Sequence, residues 1–371
     1  MKLIREVKLY PTKTQQQNLL NLFEKARLFY NAVLERKINH YKKTGKNLSR
    51  FNLQKEFRDL NKEIPATLKQ MMIYRVNTAY ERFFNKLGHF PRFKSHNRLR
   101  SIELRQYEID YRFKNNKLCI WKEIGHLKMK GFRKANNYGM GRIIKRASGW
   151  YFQYVVEVPE KKPIKKIKTA VGIDVGLKSF LVDSENNQVK PPKYFRKAQY
   201  KLRLQQRKVS KAKKGSNRRK KKIQLLAKVH EHIANQRKDF LHKLSRKYAD
   251  KYDMVAVEKL NIRGMLKNHH LAKSIQDASW NIFTNMLSYK LRILGRHFIQ
   301  VPPHYTSQKC SQCGAIVPKS LSIRTHICPE CGFVGDRDWN ASKNILSIGL
   351  TEAIGEVTSL EGLTTREELL S

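Results

Sequence analysis

Four cysteines fall in two close pairs, Cys310-x2-Cys313 and Cys328-x2-Cys331, with 14 residues between the pairs. Each pair reads as a tight knuckle whose two thiolates face one ion, and the glycine after each pair, Gly314 or Gly332, frees the turn for positive φ. Four soft thiolates leave no open coordination position, so the spacing predicts one structural zinc ion that does no chemistry itself. Four unrelated buried cysteines are the plainer alternative, but such clustering in a reducing compartment points to a metal rather than to disulfides. His326 lies close by in sequence and is expected at the surface rather than on the metal. Cys119, isolated in a strand-like segment, is expected as a small buried apolar side chain.

Three acids stand where an acid is costly. Asp174 interrupts the apolar segment AVGIDVGLKSF between Gly172 and Gly176; Glu258 ends MVAVE; Asp338 sits in GDRDWNASKNI, after the second cysteine pair and at the start of a helical pattern. A buried carboxylate without a partner costs on the order of several kcal/mol. Singly, each has an ordinary explanation: a strand-end Glu pairs with a lysine, and an Asp ahead of a helix caps it. Brought together by the fold, they would form the carboxylate set of a two-metal phosphodiester hydrolase. There, two Mg²⁺ ions about 4 Å apart activate a water and stabilise the departing 3′ oxygen. Converging carboxylates also repel one another unless cations sit among them, which favours a metal site over a structural cluster.

The composition points to the partner. The chain has 371 residues, enough for roughly two to three domains, and 77 Lys plus Arg against 30 Asp plus Glu give a net charge of +47. So much like charge destabilises a compact state unless a polyanion neutralises it. Apolar runs such as Met71 to Tyr74 fall far short of the roughly 20 residues of a membrane span, and residues 1–15 lack the apolar core of a secretion signal. A cytoplasmic protein with nucleic acid as its partner, and no membrane, is expected.

The elements that must carry these residues can be read from periodicity. Residues 2–10 look like a strand, and Leu19, Leu22, Phe23, Ala26, Tyr30, Val33 and Leu34 then recur at helical spacing. A second helix follows Pro65, with Leu68, Met72, Val76, Ala79 and Phe83 on one face. From Ser101 to Pro159 the period falls toward two, and two hairpins are expected: 107–113 with 118–121, and 142–146 with 150–158. The first strand should join these in one β-domain that carries the helices as an insertion. After a basic linker at 161–168 comes the apolar stretch 170–182 that holds Asp174. Residues 193–222 follow, of which 15 are Lys or Arg and none is acidic, read as a basic helical hairpin running on through Leu244. A strand at 254–257, a helix at 280–297 and a strand at 298–301 complete an α/β pattern. The last 21 residues hold five Glu and one Arg and read as a mobile tail.

In order along the chain, GIDVGLKSF, RKVSKAKKGSNRRKKK continuing into HEHIANQRKDFLHKLS, VAVEKLNIRGM, YTSQKCSQCG, CPECG and DRDWNASKNI resemble the TnpB-type (OrfB) transposon-encoded RNA-guided nucleases, relatives of the type V CRISPR effectors. EVKLYPTKTQQQNLL and FFNKLGHFPRFKS extend the resemblance over nearly the whole chain. It implies a multidomain α+β fold. A wedge-type β-barrel (1–11 and 90–165) would carry a helical recognition insertion (12–89). An RNase H-like (RuvC) α/β nuclease domain (166–303 and 333–350) would follow, with an inserted zinc ribbon (304–332) and an acidic mobile tail (351–371).

The implied activity is that of an RNA-guided DNA endonuclease encoded by a transposable element. It would bind a guide RNA from its own element, require a short motif beside a double-stranded DNA target, and cut with magnesium, most simply two ions. It would act as a monomer in a prokaryotic cytoplasm, on the nucleoid when bound to DNA. By motif position Asp174, Glu258 and Asp338 correspond to the catalytic, magnesium-binding acids, and Cys310, Cys313, Cys328 and Cys331 to the zinc ligands. Asp336 is a rival for the last acid, but Asp338 is the one that precedes x-Asn-Ala, and Asn340 is expected to support the same turn. The sequence departs from the family at Ser342, where a second alanine is commoner. Members without catalysis usually lack one of the acids; with all three kept, this chain is expected to cut.

Phosphate contacts to guide and heteroduplex are expected from Arg207, Lys208, Lys211, Lys213, Lys214, Arg218 and Arg219. Lys69, Gln70 and Tyr74, on one side of the second helix, are expected to read the duplex beside the target. Tyr194, Phe195 and Tyr200 would either stack on unpaired bases or pack. Two other activities fit the acids less well. A DNA-transposing recombinase usually orders its acids Asp, Asp, Glu with the last two roughly tens of residues apart, whereas here the order is Asp, Glu, Asp with gaps of 84 and 80. A guide-RNA-dependent DNA-binding repressor would have no need of three acids.

Overall fold

Residues 1–60, 62–96, 98–320 and 323–361, described by a computed structural model, divide after Val158 into two units. In the first, strand β1 (Lys2–Tyr10) precedes helices α1 (Lys13–Thr44), α2 (Arg50–Glu56) and α3 (Ala66–Phe84). Strands β2 (Ser101–Leu104), β3 (Tyr111–Lys114), β4 (Lys117–Ile120), β5 (Gly125–Lys130), β6 (Tyr138–Arg146) and β7 (Gly149–Glu157) follow. Helix α1 begins at a reciprocal capping box between Thr12 and Gln15 and stops at Gly45, whose φ is 66°. Its buried Leu19, Phe23, Ala26, Tyr30, Val33 and Leu34 share one core with Leu68, Met72 and Val76 of α3 and with the strands. Phe23 meets Trp150 of β7 edge-on at 5.3 Å.

The seven strands form one sheet in the order β2-β6-β7-β1-β5-β4-β3. The first strand of the chain is thus the central one, antiparallel to both β7 and β5, and the helices are an insertion after it. The sheet curls. Tyr111 and Phe113 of β3 meet Phe152 and Tyr154 of β7 with ring centroids 5.0 Å apart, and the Tyr111 hydroxyl donates to the Gly139 carbonyl of β6 at 2.5 Å. Gly141 makes the room, since a Cβ there would lie 2.4 Å from the Phe152 ring. The expected barrel is therefore a half-barrel: among the described residues β3 reaches β6 and β7 through aromatic side chains rather than through a ladder.

The second unit opens with strands β8 (Ala170–Val175), β9 (Leu181–Asp183) and β10 (Gln188–Val189), then the basic pair of helices α4 (Tyr194–Ser210) and α5 (Asn217–Lys251). Strand β11 (Met254–Glu258), helices α6 (Ile262–Met265), α7 (Ala272–Ala278) and α8 (Trp280–Ile293), and strand β12 (His297–Val301) come next. The short strands β13 (Thr325–Ile327) and β14 (Val334–Asp336) lead into helix α9 (Arg337–Glu361). Five strands make a mixed sheet, β10-β9-β8-β11-β12, in which β8, β11 and β12 are parallel. Four of the five residues of β11 are buried, as in a parallel strand covered on both faces. On one face Leu241, Leu244 and Tyr248 of α5 and Phe283 and Leu287 of α8 build the core; on the other lie Ile345 and Ala353 of α9.

Helix α9 rests on the strands backbone to backbone. A Cβ on Gly172 of β8 would lie 2.1 Å from the Ser342 carbonyl oxygen and 2.5 Å from the Leu346 amide nitrogen. One on Gly349 of α9 would lie 2.5 Å from Cβ of Ala256 in β11. Two glycines, one on each element, thus let the helix sink onto the sheet.

Two boundaries differ from expectation. Segment 161–168 is no free linker: the Ile164 amide donates to the Gly295 carbonyl at 2.8 Å, His297 Nε2 bonds the Ile164 carbonyl at 2.9 Å, and Ile167 is buried. The tail expected from residue 351 starts as helix, because α9 continues to Glu361; residues 362–371 lie outside the described residues. Among the described residues no helix is long and apolar enough to cross a membrane.

Replacing Gly172 with Ala is expected to destabilise the second unit by about 3 kcal/mol, the upper end of overpacking costs, because the atoms it meets are backbone and cannot rotate away. Denaturant unfolding measures this; a midpoint equal to that of the parent chain would contradict the close approach.

Candidate active site and metal centre

Strands β8 and β11 run parallel with Val257 opposite Ile173, so the next residues along them, Glu258 at the end of β11 and Asp174 one residue short of the end of β8, lie on the same side of the sheet. Asp338 stands in the first turn of α9, which the glycine contacts hold against those two strands. The rival acid has a different task. One Asp336 oxygen accepts the amides of Asp338 at 2.9 Å and Trp339 at 3.3 Å, capping the helix. The departure at Ser342 is absorbed locally, its buried hydroxyl donating back to the Trp339 carbonyl at 2.7 Å.

Asp174 feels the charges of the other two. Asp174 is held well above the usual aspartate range, first by burial and then by the negative charges of Asp338 and Glu258, with Arg337 pulling the other way. Burial raises Glu258 as well, against the Thr306 hydroxyl that donates to it at 3.3 Å. Asp338 makes long ion pairs, 3.5 Å to Arg337 Nε and 3.7 Å to Arg324 Nη1. Burial of Asp174 and Glu258, and the repulsion of Asp174 by its two neighbours, suit a hard divalent cation, which would relieve both penalties.

The cysteines make a second centre. Cys310 and Cys331 sulfurs are 3.7 Å apart, those of Cys313 and Cys328 are 3.5 Å apart, and all four lie within 4.8 Å of one another. A tetrahedron of ~2.3 Å Zn–S bonds has edges of about 3.8 Å, so the set fits one zinc. The two knuckles are built alike: Gly314 N–H bonds the Cys310 carbonyl and Cys310 N–H the Ala315 carbonyl, while Gly332 and Phe333 do the same for Cys328. Gly314 and Gly332 have φ of 82° and 70°, conformations costly for any other residue. Burial works against ionising Cys310, but the amides of Cys313 and Gln312, with His326 and Cys331, outweigh it and bring its pKa to about 6. His326, expected at the surface, is instead fully buried with Nδ1 bonded to Lys319 Nζ.

The two centres are tied together by residues whose role the sequence did not disclose. Asn340 Nδ2 donates to the Lys309 carbonyl at 2.8 Å while its Oδ1 accepts the Ser311 amide at 2.9 Å. Asn344, one turn later, donates to the Thr306 and Lys309 carbonyls at 2.8 and 2.6 Å. One helix face thus bolts the first knuckle to α9, and Thr306 continues the chain to Glu258. Two asparagines spaced i, i+4, and so on one helix face, were the available signal.

The expected nucleic-acid contacts fare unevenly. Arg207, Lys208, Lys211, Lys213, Lys214 and Arg218 are exposed along the α4–α5 hairpin. Arg219 is not available in the same way, since Nη1 donates to the Val209 and Ala212 carbonyls at 3.1 and 3.0 Å and clamps the turn. Lys69 is a clear correction: it is buried, with Nζ bonded to the Arg58 and Leu60 carbonyls at 2.6 and 2.9 Å. Gln70 and Tyr74 are exposed, and the Arg50 guanidinium lies 5.9 Å from the Tyr74 ring. Tyr194 packs edge-on against Phe240, Phe195 is half-buried, and Tyr200 is exposed.

Comparison with known proteins places these features in context. Residues 153–269 match the OrfB_IS605 family, described as "Probable transposase". Residues 280–345 match "Cas12f1-like, TNB domain", and residues 1–46 a helix-turn-helix domain of OrfB proteins. That last stretch is here a strand and one long helix. A Streptomyces pristinaespiralis protein named "Putative RNA-guided DNA endonuclease" is 33% identical over 358 residues, covering 92% of this chain and 88% of its own. Escherichia coli InsQ, named in the same way, is 27% identical over 78% of this chain and 75% of its own. The CRISPR-associated endodeoxyribonuclease Cas12f1 of Sulfoacidibacillus thermotolerans is 24% identical over 57% of this chain and 53% of its own.

Two outcomes follow for the purified chain. Below about pH 4 the Asp174 carboxyl is protonated folded or unfolded; as pH rises toward its raised folded value the unfolded chain ionises first, so the penalty on folding grows with pH. Asp174→Asn is therefore expected to raise the metal-free melting temperature, more at about pH 8 than at about pH 5, and to abolish any further rise on adding Mg²⁺. A structural aspartate would lose stability instead. Chelation is expected to release one zinc per chain and, through Asn340 and Asn344, to speed hydrogen exchange in the first turns of α9 as well as in the ribbon. Exchange confined to the ribbon would contradict that coupling.

Proposed function

Since the chain belongs to the TnpB-type (OrfB) family of RNA-guided DNA endonucleases, we propose that it is a transposon-encoded nuclease that binds a guide RNA and cuts matching double-stranded DNA beside a short motif. The observation that supports the reading is the placement of Asp174 and Glu258 on adjacent parallel strands and of Asp338 on the helix packed against them, where the charges of Asp338 and Glu258 act on Asp174. Asp174, Glu258 and Asp338 would hold the magnesium, most simply two ions, which when bound activates water and offsets charge on the departing oxygen. The chain's own work is positional. Thr306 holds Glu258 with a hydrogen bond, Asp336 fixes the first turn of α9, and the glycine contacts set the helix height.

The mixed sheet with helices on both faces is compatible with a RuvC-like nuclease domain, and the half-barrel with its helical insertion with the family's wedge and recognition parts. The cysteine cluster would be a structural zinc ribbon that braces α9. Exposed cations of the α4–α5 hairpin would track the phosphates of guide RNA and heteroduplex, leaving sequence to base pairing. A repressor that binds without cutting would gain nothing from three repelling acids, and a recombinase would order them differently.

Co-expression with the DNA flanking the gene is expected to yield bound RNA, and that complex to cut a matching target only with a divalent cation. Asp174→Ala should lower cutting by at least roughly a thousandfold, a typical loss for an essential catalytic group, while RNA still co-purifies. Cutting that ignores a reprogrammed guide would overturn the reading.

A further inference from the structure

In the cysteine ribbon His326 is buried, and its Nε2 has no hydrogen-bond partner among the described residues. We propose that this nitrogen donates to the zinc-bound thiolate of Cys310, and that Lys319, bonded to the other ring nitrogen, fixes the proton it gives. The relay rests on the zinc reading of the four cysteines and adds what governs how firmly they keep the ion. His326 is the middle residue of β13, opposite Gly335 of β14, with its ring 5.9 Å from that of Phe333. An ammonium donates and cannot accept, so Nδ1, which takes Lys319 Nζ, is the nitrogen without a proton. The neutral ring then carries its proton on Nε2.

A buried N–H without an acceptor is costly, so one must be close at hand. Cys310 is the neighbour on which the histidine acts, since His326 is among the groups that favour its thiolate against burial. Lys319 feels the same sulfurs: burial and Arg337 push it below the ordinary lysine range, while Cys310 and Cys328 hold it up. Four thiolates around one Zn²⁺ leave a net negative charge, and water reaches Cys313 and Cys331 but not the buried Cys310 and Cys328. The Lys319 cation, passed on through His326, answers that charge on the buried side. A hydrogen bond to a bound thiolate favours its charged form and so keeps it on the metal. Cys310 is also the ligand whose neighbours Lys309 and Ser311 are held by Asn340 of α9. Loosening it would reach the helix that carries Asp338.

The test loads the full-length chain, with isotope-labelled histidine nitrogens, with an NMR-active cadmium isotope in place of zinc. A scalar coupling between the metal and the Nε2 proton of His326, carried through Cys310 Sγ, is expected, with Nδ1 unprotonated. In the zinc form, His326→Phe and Lys319→Met should each weaken zinc binding roughly tenfold or more in competition with a chelator, the usual loss for a group that supports a metal ligand. His326→Gln, whose amide can donate to sulfur while its carbonyl accepts from lysine, should restore most of it. Coupling of the metal directly to a ring nitrogen would make His326 a ligand and overturn the relay. So would a cadmium-loaded chain without the coupling, or a His326→Phe chain that holds zinc as tightly as the parent. A parent chain that takes up neither ion would remove the zinc reading, and the relay with it.

Discussion

The depth at which α9 lies on the sheet governs the rest of the candidate site. With hydrogen atoms in place of side chains at Gly172 and Gly349, helix and strand backbones touch, and the first turn of the helix is carried to the ends of β8 and β11. Asp338 then joins Asp174 and Glu258, and Asn340 and Asn344 come within reach of the first cysteine knuckle. A helix held off by even a methyl group would move the acid and the ribbon together. Metal ligation at the cysteines and carboxylate placement at the sheet are in this sense one mechanical problem.

The electrostatics run against stability. A chain with a net charge of +47 nonetheless sets Asp174 and Glu258 in partly desolvated places and pairs Asp338 with arginines at 3.5 and 3.7 Å. Other buried charges in the same unit are fully engaged: Asp183 takes the Tyr248 hydroxyl and two backbone amides, and Asp277 takes Arg237. The contrast separates acids that hold the fold from acids that burden it, and the second kind is where function is expected to be found.

Much of this was legible in the sequence because it is written in local chemistry. The cysteine spacing and its glycines specify the knuckles, and an aspartate inside an apolar strand announces its own cost. What escaped depended on distance in the chain. Nothing near Lys69 shows that carbonyls at 58 and 60 will claim it, and nothing near His326 shows that the ribbon will close over it. The x-Asn-Ala motif prefers Asp338 to Asp336, but that Asp336 caps the helix is a matter of one turn's geometry. Similarly, alternation marked the strands of the first unit, but only the ring contacts from β3 to β7 show that the sheet curls without closing its ladder.

Anomalous diffraction from crystals of the guide-bound chain equilibrated with Mn²⁺ tests the central claim most directly. Anomalous peaks are expected among the carboxylates of Asp174, Glu258 and Asp338, with Asp336 still bonded to the amides of α9. Peaks elsewhere, or none at this sheet end in crystals that bind Mn²⁺ at other positions, would contradict it.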